Sequence, residues 1–180
     1  MAMKKRMIKL KAKSQYDASV NERYQSSACG PTAVEAILQH YLKQPVAINY
    51  LYKALGTTPI GLFTWRMIRR LKHLLGPNWQ ITRVTKQKAL AAIDAGEPIA
   101  LKFDRYFTPF FFKKARYNYH WTVLVNYTVE QGRLQLFVQD LGTRSRESRI
   151  EKIDYLDNAH ALTFVHIKPL FKNILRMIRD

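Results

Sequence analysis

The sequence predicts an α+β fold, with helices gathered in the first half and mostly antiparallel strands in the second. Three observations carry this. Apolar residues recur at helical spacing in several segments before Gly96. Two strand-length segments, Tyr119 to Val129 and Leu134 to Gln139, flank Glu130-Gln131-Gly132, a hairpin signal. Apolar residue types make up 47% of the 180 residues and aromatic types 12%, a composition that folds around a core.

The elements follow in order. Residues 1–18 read as a basic arm with room for a short strand, ahead of a single domain over 19–180. A helix runs over 31–43, with Ala33, Ala36, Ile37 and Tyr41 on one face and Pro31 in a position suited to a first helical turn. Ile48 to Leu55 is a short helical stretch that stops at Gly56. Leu62 to Leu75 has apolar positions at Leu62, Trp65, Ile68, Leu71 and Leu75, and Gly76-Pro77 ends it. Trp79 to Val84 alternates as a strand. Lys86 to Ala95 is a helix closed by Gly96, and Ile99 to Phe103 is a strand after Pro98. Residues 104–118 form a long aromatic loop. After the hairpin come a strand over Leu162 to Ile167 and a basic amphipathic helix over Leu170 to Ile178.

Several classes are set aside. No run of about 18 apolar residues occurs, so no transmembrane helix is expected. The basic start lacks the apolar segment of a signal peptide, because Lys9, Lys11, Lys13 and Asp17 interrupt it. The expected location is therefore cytoplasmic, or membrane-associated on the cytoplasmic side. There is no internal repeat or low-complexity tract.

The formal net charge is +17. Clusters of Lys and Arg occur in the arm, at Arg66 to Lys72, at Lys113 to Arg116 and in the tail. Such a field attracts a polyanion, an anionic membrane surface or acidic substrates, and a solvated surface with no specific partner is equally consistent with it.

Cys29 is the chain's single cysteine, so it forms no internal disulfide and no zinc site built on cysteine pairs. It stands at or just before a helix N-terminus, where the dipole and unpaired N–H groups favour a thiolate. It is either an inert buried thiol or a nucleophile.

A nucleophilic thiol needs a base and a group that orients the base. Of the five histidines, His120 stands out, because it opens the apolar strand Tyr119-His120-Trp121-Thr122-Val123-Leu124. Asp140 closes the next strand. In a hairpin the start of one strand lies beside the end of the next, so the two can be neighbours. Singly, each is equally well a structural histidine and a turn-forming aspartate. Gln25, four residues before Cys29, can donate to a developing oxyanion together with the Cys29 backbone N–H, with Asn21 a weaker substitute.

The order Gln25, Cys29-Gly30-Pro31-Thr32, Tyr119-His120-Trp121, Val138-Gln139-Asp140 resembles papain-like cysteine peptidases, most closely the C39 peptidase and C39-like branch. The resemblance spans residues 25 to about 142. It implies a helical half packed on an antiparallel sheet with the active site between them. It also implies Cys29 as nucleophile, His120 as base and acid, Asp140 as orienting group and Gln25 as oxyanion donor. Its substrate would be a peptide or small amide, with no cofactor. Hydrolase and acyltransferase both stay open. So does a non-catalytic module that binds nucleic acid or an anionic membrane through its basic surface.

Overall fold

The computed structural model describes residues 7–170. The start of the basic arm and the tail helix expected beyond Leu170 lie outside the described residues.

The helices are α1 (Glu22–Gln25), α2 (Cys29–Leu42), α3 (Ile48–Ala54), α4 (Thr64–Leu75), α5 (Lys86–Asp94) and α6 (Tyr155–Asn158). The strands are β1 (Trp79–Val84), β2 (Ile99–Asp104), β3 (Tyr119–Glu130), β4 (Arg133–Asp140), β5 (Arg149–Asp154) and β6 (Leu162–Pro169). This is the α+β class the pattern predicts. Local chemistry explains most boundaries. Asn21 caps α1 by accepting from the Arg23 N–H, and Thr85 caps α5 through the Lys88 N–H. Gly76 ends α4 at φ 73°, a conformation that costs glycine little. α4 buries Met67 and Leu71, leaves Arg69 and Arg70 exposed, and ties Arg66 to the Gly56 carbonyl (2.8 Å).

The six strands form one antiparallel sheet in the order β1-β6-β2-β3-β4-β5. The last strand thus lies between the first two. The hairpin turn is Gln131-Gly132, both at positive φ, the conformation that suits the twist of a two-residue connection. β5 (Arg149–Asp154) was not expected. Its sequence carries charges at both ends and in the middle, and it pairs only with β4 at the sheet edge, so it lacks an apolar pattern.

The expected amphipathic helix is enclosed. Every residue of α2 from Cys29 to Leu38 is buried, because α3 lies on one side and β2, β3 and β6 on the other. Trp121, Val123, Leu124 and Val125 of β3 are fully buried and continue this core. Burying one such aliphatic side chain contributes about 1.5–3 kcal/mol, so α2 and β3 are fixed tightly relative to each other. The arm is pinned to the same sheet. The Ile8 N–H donates to the Val125 carbonyl (3.1 Å) and the Gln15 N–H to the Leu141 carbonyl (2.8 Å).

Candidate active site

Cys29 is the first residue of α2, and its thiol is buried. Gly30 beside it permits a close approach. A Cβ there would stand 2.7 Å from Leu62 Cβ and 3.2 Å from Trp121 Cδ1. The Leu62 carbonyl accepts from both Trp121 Nε1 (2.8 Å) and Tyr119 Oη (2.9 Å), which ties the start of β3 to the chain ahead of α4. The helix start and the strand start are therefore held face to face.

His120 is the second residue of β3, opposite Phe103 of β2. Its imidazole and the Cys29 thiol are near enough that each shifts the other's pKa. Its Nε2 is 3.7 Å from Asp140 Oδ1, an ion-pair separation somewhat longer than a direct hydrogen bond. That orientation leaves Nδ1 for the thiol.

Asp140 reaches His120 through an irregularity in the hairpin. From the turn, Glu130 pairs with Arg133 and Asn126 with Phe137, but Leu124 pairs with Val138 and Val123 with Gln139. Val125 is the extra residue of a β-bulge. Its carbonyl accepts from the Ile8 N–H of the arm. Past the bulge, Asp140 falls across from Thr122, on the pleat face shared by His120. In an unbulged ladder it would oppose Val123 and point to the other face.

The Asp140 carboxylate is buried and held on both oxygens. Oδ1 accepts from the Gly142 N–H (2.8 Å), and Oδ2 accepts from the Tyr117 hydroxyl and from Arg146 Nη2 (3.0 Å). The Tyr117 ring also lies against His120, with centroids 4.8 Å apart, and against Phe103 at 4.9 Å. Sequence reasoning missed Tyr117 and Arg146. The Asp-Leu-Gly turn is legible locally, but nothing in the sequence shows what fills the rest of the carboxylate.

The electrostatics follow from this packing. Burial raises the Cys29 thiol, but the hydrogen bond and charge of His120 outweigh it, helped by the Trp121 and Gly30 N–H groups, so the pKa falls below its ordinary value. Burial lowers His120, but hydrogen bonds to Asp140 and Cys29 and their charges raise it to about 9. Burial also opposes ionisation of Asp140, yet the hydrogen bonds from His120 and Tyr117 hold its carboxyl well below the usual range. All three shifts run in the direction that favours a charged thiol–imidazole pair beside a carboxylate. Lys102 is a further buried charge here. It pairs with Asp104, sits 4.5 Å from the Tyr119 ring centroid, and feels the Cys29 charge.

Gln25 lies in α1, and its Nε2 donates to the Val20 carbonyl (3.2 Å). Asn21 is spent on capping that helix. A second amide, which sequence reasoning missed, is closer bound to the site's framework. Gln15 is buried, its N–H is tied to Leu141 next to Asp140, and its Nε2 donates to the Gln25 carbonyl (2.8 Å) in the turn leading to Cys29. Its Oε1 is buried without a partner. Among the other histidines, His166 pairs with Glu97 at 3.1 Å and is committed to the far end of the sheet, opposite Thr82 and Ile99.

Among the described residues no group of three or more His, Cys, Asp or Glu is placed to hold a metal ion, and no helix is long and apolar enough to cross a membrane. Residues 7–167 match the model of the Peptidase_C39 like family. No curated protein matches the chain.

Proposed function

We infer, from the premise that this chain belongs to the Peptidase_C39 like family, that it is a cysteine hydrolase cleaving an amide bond. One observation carries the reading: His120 stands 3.7 Å from the buried Asp140 carboxylate and beside the buried Cys29 thiol, and each shift is in the direction that favours the reactive charge state.

In the proposed reaction His120 Nδ1 takes the Sγ proton. The thiolate attacks the carbonyl carbon, and the pair of electrons moves to oxygen. The oxyanion is held by the Cys29 backbone N–H and a side-chain amide. Gln25 is the amide suggested by sequence. Gln15 is the better-supported one, because it is buried and ties Leu141, next to Asp140, to the Gln25 carbonyl ahead of Cys29, with one amide hydrogen left to donate. The tetrahedral species collapses as His120 returns its proton to the leaving amine, leaving a thioester on Cys29. Water, deprotonated by His120, then releases the acid and restores the thiol. An amine in place of water makes the same site an acyltransferase. Asp140 keeps the imidazole oriented and stabilises its charge.

The test is the pH dependence of Cys29 alkylation by iodoacetamide in the wild type and in His120→Ala. With one cysteine in the chain the labelled site is unambiguous. Fast labelling well below pH 7 that is lost in the variant is expected. Slow labelling that rises only near the free-thiol value of about 8.5, identical in both proteins, would make Cys29 structural.

A further inference from the structure

The loop between β2 and β3 carries an aromatic surface that the reaction does not use. Tyr106 and Phe107 are 61% and 63% exposed, and Phe110, Phe111 and Phe112 are 45%, 61% and 66% exposed. Exposed apolar area of this density marks an interaction site rather than ordinary surface.

Two features decide what the surface fits. The first is shape. The three phenylalanines are consecutive and lie on a turn closed by the Lys113 N–H donating to the Phe110 carbonyl (2.9 Å). The Phe112 ring packs edge-on against Phe110 and Phe111, with centroids 6.3 and 6.1 Å apart, so the three rings form one exposed apolar tip. The tip is braced. Arg105 Nε donates to the Phe111 carbonyl (2.8 Å) and Nη1 to Asn118 Oδ1 (2.7 Å). The second feature is charge. Arg105, Lys113 and Lys114 flank the aromatics, no acidic residue occurs from Arg105 to Asn118, and Arg116 is paired with Glu151 at 3.1 Å. Lys113 Nζ lies 4.9 Å from the Phe110 ring centroid, so the cations and rings form one surface. Aromatic rings partition into the interfacial zone of a bilayer, and cations beside them pair with anionic headgroups.

We propose that this aromatic tip docks the protein on an anionic lipid bilayer, with Phe110, Phe111 and Phe112 inserted among the headgroups and the surrounding Lys and Arg paired with lipid phosphates. The tip belongs to the same end of the sheet as the candidate site. Arg105 N–H bonds to Asn118 O (2.9 Å), two residues before His120, and Phe107 packs edge-on against Phe63 at 6.0 Å. Docking would then bring the Cys29 end of the sheet to the membrane surface. That consequence rests on the hydrolase reading, whereas the docking itself does not.

The experiment is flotation of the full chain with vesicles of phosphatidylcholine, with and without about one third phosphatidylglycerol. Wild type should float with the anionic vesicles and much less with the neutral ones. The triple variant Phe110→Ser, Phe111→Ser, Phe112→Ser alters only exposed side chains and should keep its melting temperature. It should lose about tenfold or more of its partitioning into anionic vesicles. Failure of the wild type to float with either vesicle overturns the proposal. So does flotation of the triple variant at the wild-type level, which would leave the basic surface acting alone. If wild type does not float and the triple variant loses peptide cleavage in lipid-free buffer, the tip is a peptide site instead. Alkylation of Cys29 in the same variant separates the two readings, since docking can fail with the thiol's reactivity intact.

Discussion

Asp140 shares a sheet face with His120 because Val125 is one residue more than the β3–β4 ladder accommodates. The bulge shifts the phase of the last pairs, and a shift of one residue exchanges the faces. Deleting Val125 should therefore return Asp140 to the opposite face and lower the His120 pKa from about 9. Val125 is fully buried, so the deletion risks unfolding. Asp140→Asn, which keeps the shape and removes the charge, should lower the same pKa. Titration of the His120 C2 proton by NMR reads both. A value still near 9 in folded Asp140→Asn would show that the carboxylate does not hold the imidazolium.

Tyr117 serves Asp140 and His120 at once. Burial, and the Asp140 carboxylate beside it, hold its phenol well above the usual tyrosine value, so it stays a donor throughout the working range. Tyr117→Phe keeps the ring against His120 and removes one hydrogen bond to a buried charge. A loss of about 1.5–3 kcal/mol in stability is expected. Hydrolysis should fall about tenfold through looser placement of Asp140, with KM little changed. Arg146 and the Gly142 N–H still hold the carboxylate, so the loss should stay well short of that in His120→Ala. Equal losses in the two variants would mean that Tyr117 does more than position Asp140.

Much of this arrangement was legible, for identifiable reasons. Cys29 at a helix start follows from Pro31 and the apolar spacing after it. His120 and Asp140 at one end of a hairpin follow from strand lengths and Gln131-Gly132. The hairpin argument gives the end of the sheet but not the face, since the bulge has no signature in Val123-Leu124-Val125-Asn126. β5 was hidden because an edge strand paired on one side needs little apolar pattern. Tyr117, Arg146 and Gln15 reach the site by specific hydrogen bonds, which apolar patterning does not encode. Gln25 is the nearer amide to Cys29 in sequence, while Gln15, ten residues earlier, is the one buried beside both Leu141 and the Gln25 carbonyl.

The pH profile of hydrolysis should be bell-shaped, while that of alkylation should not. Cys29 titrates below its ordinary value and His120 near 9. Rising pH first creates the thiolate–imidazolium pair, so both rates climb on the acid side. Above about 9 the imidazolium loses its proton. Hydrolysis then falls, because no acid remains for the leaving amine. Alkylation needs only the thiolate and stays on its plateau. The apparent values belong to the coupled pair. A hydrolysis rate that keeps rising through pH 10 would remove His120 from the role of acid.

Glu35 makes the last prediction, and it concerns stability. It lies in α2, is buried, and has neither carboxylate oxygen in hydrogen-bond geometry with a donor. Burial raises its pKa from 4.5 to about 7, with the Lys13 charge and the Val46 amide opposing. The folded state thus holds a proton that the unfolded state has released between those values. Stability due to Glu35 must therefore fall as pH rises from about 4.5, and the loss is complete above about 7. Glu35→Gln has similar shape and no charge to lose. Relative to wild type it should gain about 3 kcal/mol between pH 4.5 and pH 8, with the gain concentrated in that window. Urea unfolding of both proteins across the range measures it. Parallel stability curves would show that Glu35 is already ionised and solvated in the folded state. Because Glu35 is about one and two-thirds turns beyond Cys29 on the same helix, alkylation at pH 6 should be unchanged in the variant, which separates this buried acid from the chemistry of the thiol.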